Sequence, residues 1–160
     1  MKRVDDELKI FGENLFTLIC QKNWTVKRAA SELDYGRNDL SAIINGTKNF
    51  QLKTAVRFAE RLNVSLSLMF SRQFDNEIYR TRFIYVDASY IDVFCENLRA
   101  YSFKRTIIEL DSSTMSKIMN GRYRNPTIKT LSVISSDVGI PLAELLKTTE
   151  EKERKIEGMI

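Results

Sequence analysis

The side chains of this chain that can do chemistry come in two matched sets. Residues 24–46 read WTVKRAASELDYGRNDLSAIING and residues 101–121 read YSFKRTIIELDSSTMSKIMNG, so an aromatic, a hydroxyl residue, Lys-Arg, Glu-Leu-Asp and a closing Ile-x-Asn-Gly recur in one order. The Lys27-Arg28 and Lys104-Arg105 pairs offer cations to an oxyanion, and equally to water on a solvated helix face. Guanidinium, carboxamide and hydroxyl groups fill the rest of each set, and these recognise by hydrogen bonding. Bond-making chemistry lacks its parts. The chain has no histidine and two cysteines, so nucleophile-base pairs, metal-ligand spacings and phosphate-cradling glycine loops are each incomplete. No catalysis, no cofactor and no metal are expected.

The elements that must position these groups follow from periodicity. Leu8, Phe11, Leu15, Leu18 and Ile19 keep the three-and-four spacing of an amphipathic helix. Thr25 is suited to cap a short helix from Val26 to Leu33, whose inner face is Ala29, Ala30 and Leu33. Asp34-Tyr35-Gly36 breaks it. A third helix is predicted over Arg37 to Ile44, closed by left-handed residues at Asn45-Gly46, and two more over Leu52 to Leu62 and Ser65 to Phe70. The order repeats as Tyr90 to Leu98, Ser102 to Leu110, Ser112 to Met119, Thr127 to Val138 and Pro141 to Leu146, with Pro141 in a first helical turn.

The matching Asn45-Gly46 and Asn120-Gly121 lie 75 residues apart, too far for most solenoids, so the unit is read as a small domain with its own core. The expected fold class is all-α, with two tandem five-helix domains: residues 1–70 and 90–147, a connecting segment 71–89 and a charged tail 148–160. Within the connector, Thr81 to Val86 (TRFIYV) has the composition of a short strand, with Phe74 and Tyr79 placed to pack across the junction.

Net charge is +4, divided as +3, +2 and −1 over residues 1–70, 71–147 and 148–160. That is mild support for a polyanionic partner. No apolar run suits a signal peptide or a membrane span, and Cys20 and Cys95 sit in apolar segments as free thiols, so a cytoplasmic protein is expected.

A short helix, a tight turn and a second helix with one polar face make a helix-turn-helix, whose second helix enters the major groove of B-DNA. Residues 11–69, from FGENL through Ile43-Ile44-Asn45-Gly46 to Leu62-Asn63-Val64-Ser65-Leu66, resemble the Cro/CI-like (XRE) helix-turn-helix domains of phage and bacterial repressors, and so does NGRYRNPTIKTLSVISSDVGIPLAELL at 120–146. The resemblance implies lambda-repressor-like domains that bind double-stranded DNA. It puts Arg37, Asn38 and Ala42, with Asp39 beside them, on the base-facing side, where Arg suits guanine and Asn suits adenine at about 1 to 3 kcal/mol of discrimination each. Phosphate would meet Lys27, Asn45 and Lys48. In the second unit Ser112, Ser113 and Lys117 take the groove, with Asn120, Arg122, Tyr123 and Arg124 near phosphate.

The chain departs from that family in three places. Asp34 stands where the turn often has glycine, Val26 and Phe103 stand where a polar residue often opens the first motif helix, and the second unit lacks the equivalents of Tyr35-Gly36. The implied function is a transcriptional repressor. The other class is a protein-interaction module of a phage or mobile element, such as an anti-defence inhibitor of Cas9 type, that keeps the fold for autoregulation or as a scaffold. Two recognition helices one DNA turn apart need about 34 Å between them. A homodimer pairing through residues 71–89 is expected; one chain imitating a dimer is the other arrangement.

Overall fold

The computed structural model describes residues 6–72, 89–102 and 112–148. Helix α1 (Asp6–Gln21) buries Leu8, Phe11, Leu15, Leu18 and Ile19 along one stripe, and Asn23 turns the chain away at φ 57°, a conformation asparagine tolerates. Thr25 caps α2 (Val26–Glu32) by accepting from the Arg28 N–H at 3.1 Å. Asp34 takes the left-handed turn position at φ 52°, and Gly36 leads into α3 (Arg37–Ile44). Helices α4 (Leu52–Leu62) and α5 (Leu66–Met69) complete the first set, α4 ending on left-handed Asn63.

The second set holds α6 (Tyr90–Ser102), α7 (Ser112–Met119), α8 (Ile128–Val138) and α9 (Leu142–Leu145). Several local devices recur. Buried Asn14 donates to the Met69 and Ser71 carbonyls at 2.9 and 3.0 Å, and buried Asn97 donates to the Leu145 and Lys147 carbonyls at 2.9 Å each. Each thereby ties its long helix to the end of its last short one, and satisfies carbonyls that water cannot reach. Helices α3 and α7 end alike: Gly46 and Thr47 donate to Ile43 and Ala42, Gly121 and Arg122 to Ile118 and Lys117. That is the Schellman pattern, with glycine in the left-handed position at φ 73° and 80°.

Four expectations change here. Only Gly46 is left-handed; Asn45 stays right-handed because its own N–H still bonds the Ser41 carbonyl. Pro141 is the N-cap of α9, outside its first turn. Helix α6 runs past Leu98 to Ser102, which takes Ser102 from the predicted helix 102–110; the rest of that helix lies outside the described residues, as do the TRFIYV strand, Phe74, Tyr79 and residues 149–160. The equivalence of Asn14 and Asn97 also sets Tyr101 opposite Leu18, not Trp24. From Asn14 to Arg37 the chain takes 23 residues and from Asn97 to Ser112 it takes 15, so the second stretch is shorter by eight residues, not two.

The two sets meet along a seam between the N-termini of α4 and α8. Gln51 and Thr127 form an antiparallel bridge, the Leu52 N–H donates to the Pro126 carbonyl at 2.8 Å and the Ile128 N–H to the Phe50 carbonyl at 2.8 Å. The Lys53 N–H donates to Asn125 Oδ1 and the Lys129 N–H to Asn49 Oδ1, both at 3.0 Å. Every bond has its mate 76 positions along the chain. Helix α5 packs on α9 and α1 on α8, and the buried side chains of both sets form one continuous cluster in place of two separate cores.

Candidate nucleic-acid interface

Helix α3 is amphipathic at short range. Leu40 and Ile43 are fully buried, while Arg37, Asn38 and Asp39 at its N-terminus are exposed and Ala42 is half-buried one turn on. Its seat is unusually close. A Cβ added at Gly12 of α1 would lie 2.4 Å from the Ile44 carbonyl oxygen and 2.5 Å from that of Ile43, so α1 and the end of α3 touch backbone to backbone. At the matching place in the second set stands Cys95, whose thiol donates to the Ile118 carbonyl at 3.6 Å. Burial pushes the Cys95 thiol up from its ordinary range.

The turn before α3 is braced from α4. Arg57 donates to the Asp34 carbonyl at 3.4 Å and lies 5.8 Å from the Tyr35 ring, which meets Phe58 edge-on at 5.2 Å. Arg61 donates to the Glu32 carbonyl at 3.1 Å. The Arg61 cation on the last carbonyl of α2, with Arg57 on the turn just beyond it, suits the negative end of that helix. Both arginines were missed in the sequence, although their i, i+4 spacing on one helix was a usable signal. Val133 and Asp137 hold the matching positions in α8, and neither side chain can donate to a carbonyl.

The side chains of Arg37 and Asn38 make no hydrogen bond with any described residue, which leaves a guanidinium fork and a carboxamide presented together. Asp39 folds back over Gly36 and lies 3.5 Å from Lys48 Nζ, so a residue expected at the bases and one expected at phosphate are paired with each other. Lys27 is exposed in the first turn of α2. Lys22 and Arg28 flank the half-buried Trp24 ring at 5.3 and 5.7 Å, and Asn45 is exposed at the end of α3. These cations share one edge with the N-terminus of α2.

In the second set, Lys117 is exposed on α7, and Asn120 and Arg122 are exposed just beyond it. Ser112 and Ser113 open α7, but their side chains lie outside the described residues. Tyr123 packs half-buried against the core. Arg124 is engaged elsewhere: it grips Asp92 with both guanidinium arms at 2.7 and 3.0 Å and donates to Ser89 Oγ at 3.2 Å. A phosphate would have to compete with that carboxylate, which Arg124, and then Ser89, hold down at about 2.

Comparison with known proteins bears on the first set. Residues 17–69 match the family described as Helix-turn-helix. The matched range runs from the last third of α1 to the end of α5, and it supports a DNA-binding regulator kind of function for that part of the chain. No curated protein and no solved structure matches the chain. Within the helix-turn-helix so marked, α2 and α3 are the two motif helices, and the Arg37-Asn38 pair opens the second. Among the described residues no helix is long and apolar enough to cross a membrane, and no cluster of acidic or cysteine side chains could hold a metal.

Proposed function

We propose that this protein is a sequence-specific double-stranded-DNA-binding transcriptional regulator of XRE type, a repressor acting in the cytoplasm, that reads the major groove with α3. One observation carries the reading. Arg37 and Asn38 are exposed and uncommitted among the described residues at the start of a helix whose opposite face is fixed backbone to backbone on α1, within a segment that matches the helix-turn-helix family. Preorganised polar groups on a rigid helix are what base-edge recognition needs, because each hydrogen bond discriminates only if its direction is fixed.

Lys27, Asn45 and Lys48 are placed along the flank to meet phosphate, Lys48 by exchanging Asp39 for a stronger anion. The second set is read as a further helix-turn-helix unit, residues 90–147, beside the first at 1–70. Supporting this are the recurring asparagine ties and Schellman ends, and exposed Lys117 on α7 with exposed Asn120 and Arg122 just beyond it.

The test is an anisotropy titration of labelled DNA from upstream of the protein's own gene against scrambled DNA, at two salt concentrations, with Arg37→Ala alongside. A preference of about a thousandfold or more that falls by about tenfold in the variant is expected. Weak binding, equal for both DNAs and insensitive to Arg37, would overturn the reading and leave the helix-turn-helix as a scaffold for protein partners.

A further inference from the structure

We infer that a single chain, not a pair, occupies a duplex with two half-sites, and that the two half-sites differ in sequence. The inference rests on the DNA-binding reading above and specifies its partner. Its basis is the seam, where the residue contacts are isologous although both sides belong to one chain: Lys53 meets Asn125 as Lys129 meets Asn49, and Leu52 meets Pro126 as Ile128 meets Phe50. Such reciprocity is the signature of a two-fold interface. Here it is internal.

The seam also completes what each half leaves open. The N-cap of α4, Gln51, offers its helix no side-chain hydrogen bond, and Asn125 from the other set supplies the missing acceptor to the second helical residue. Asn49 does the same for α8, adding to the local cap of Thr127. A second copy could use this surface only by displacing a partner tethered at an effective concentration on the order of millimolar. The short loops that leave α3 and α7 run directly into the seam, and in the single-chain arrangement the two-fold that relates Asn49 to Asn125 would relate those two helices as well.

Those helices do not carry the same groups. Lys117 stands in α7 where Ala42 stands in α3, and Ser112-Ser113 stand where Arg37-Asn38 stand. An arginine-asparagine pair and a lone lysine with two serines ask for different bases. A perfect palindrome would satisfy only one of them twice.

The experiment selects the preferred site of the full chain from a random duplex library, then weighs the complex by native mass spectrometry. Expected is one 18.6 kDa chain per duplex carrying two unlike half-sites about one helical turn apart. Arg37→Ala should lose about tenfold in preference at one half-site only, and Lys117→Ala about tenfold at the other only. Two chains on a palindrome, or a single half-site that Lys117→Ala leaves untouched, would overturn the inference while the DNA-binding reading stands. Selection of no sequence at all would overturn both.

Discussion

Asn125 caps a helix to which it is not attached: its Oδ1 accepts the Lys53 N–H at 3.0 Å, 72 positions away. The cap is the only side-chain one that α4 receives near its start among the described residues, since Gln51 provides none. Asn125→Ala should therefore cost about 0.5 to 2 kcal/mol in urea unfolding. The change should lower the stability of both sets in one transition, because they share a core. A separate early transition confined to one set would count against the seam as a structural joint.

Gly12→Ala puts a methyl against two carbonyl oxygens that cannot yield without moving α3. Overpacking of this kind costs about 1 to 3 kcal/mol. The specific expectation is a loss of DNA affinity measured at a temperature where the variant is still folded, since α3 must shift away from α1. Unchanged affinity would show that the seat of α3 does not matter to binding.

Arg57→Ala removes a donor from the Asp34 carbonyl and a cation from the faces of Tyr35 and Phe58. About 1 to 2 kcal/mol of stability should go with them. Arg57→Lys should not restore it, because the ammonium cannot both stack and reach the carbonyl. Full rescue by lysine in thermal melts would contradict that account.

Arg37→Ala and Lys48→Ala should fail differently. The first should relax preference at one base pair; the second should weaken all sequences and flatten the salt dependence by about one unit. Equal effects of both on every sequence would argue against base reading by Arg37.

Asp92 gives a pH prediction. Its carboxyl is held at about 2 in the folded chain by Arg124 and Ser89 against an ordinary 3.8, so folding favours its charged form. Its contribution is fully present above about pH 4 and fades as pH falls towards 2. Arg124→Ala should return the carboxyl resonance titration of Asp92 to near its ordinary value; no movement would mean that the ion pair does not form in solution.

The helices of the first set were legible because their signals are local. Thr25 before an alanine-rich turn, Asp34 in place of a turn glycine and Gly46 after the last apolar residue each specify backbone within four residues, and the boundaries of α3 and α4 follow. Longer-range matters were not legible. The Lys-Arg repeat drew Tyr101 opposite Trp24, whereas the true register is set by Asn14 and Asn97, two polar residues that periodicity treats as gaps in an apolar stripe. Arg124 looked like a free cation because Asp92 lies 32 positions away, and the crossed caps at Asn49 and Asn125 depend on two segments whose meeting no local pattern encodes. For the site, Arg37 and Asn38 are exposed at the start of α3, while the pairing of Asp39 with Lys48 depends on the path of the loop after α3, which no local pattern encodes.

An internal two-fold changes how a regulator responds to its own abundance. A reader that must first assemble from two copies loses occupancy with the square of its concentration on dilution, so it switches off abruptly as a cell divides. In the single-chain arrangement inferred above, a chain whose halves are joined at Gln51 and Thr127 would titrate its site in simple proportion to copy number, and each substitution in α3 would act on the site once, not twice.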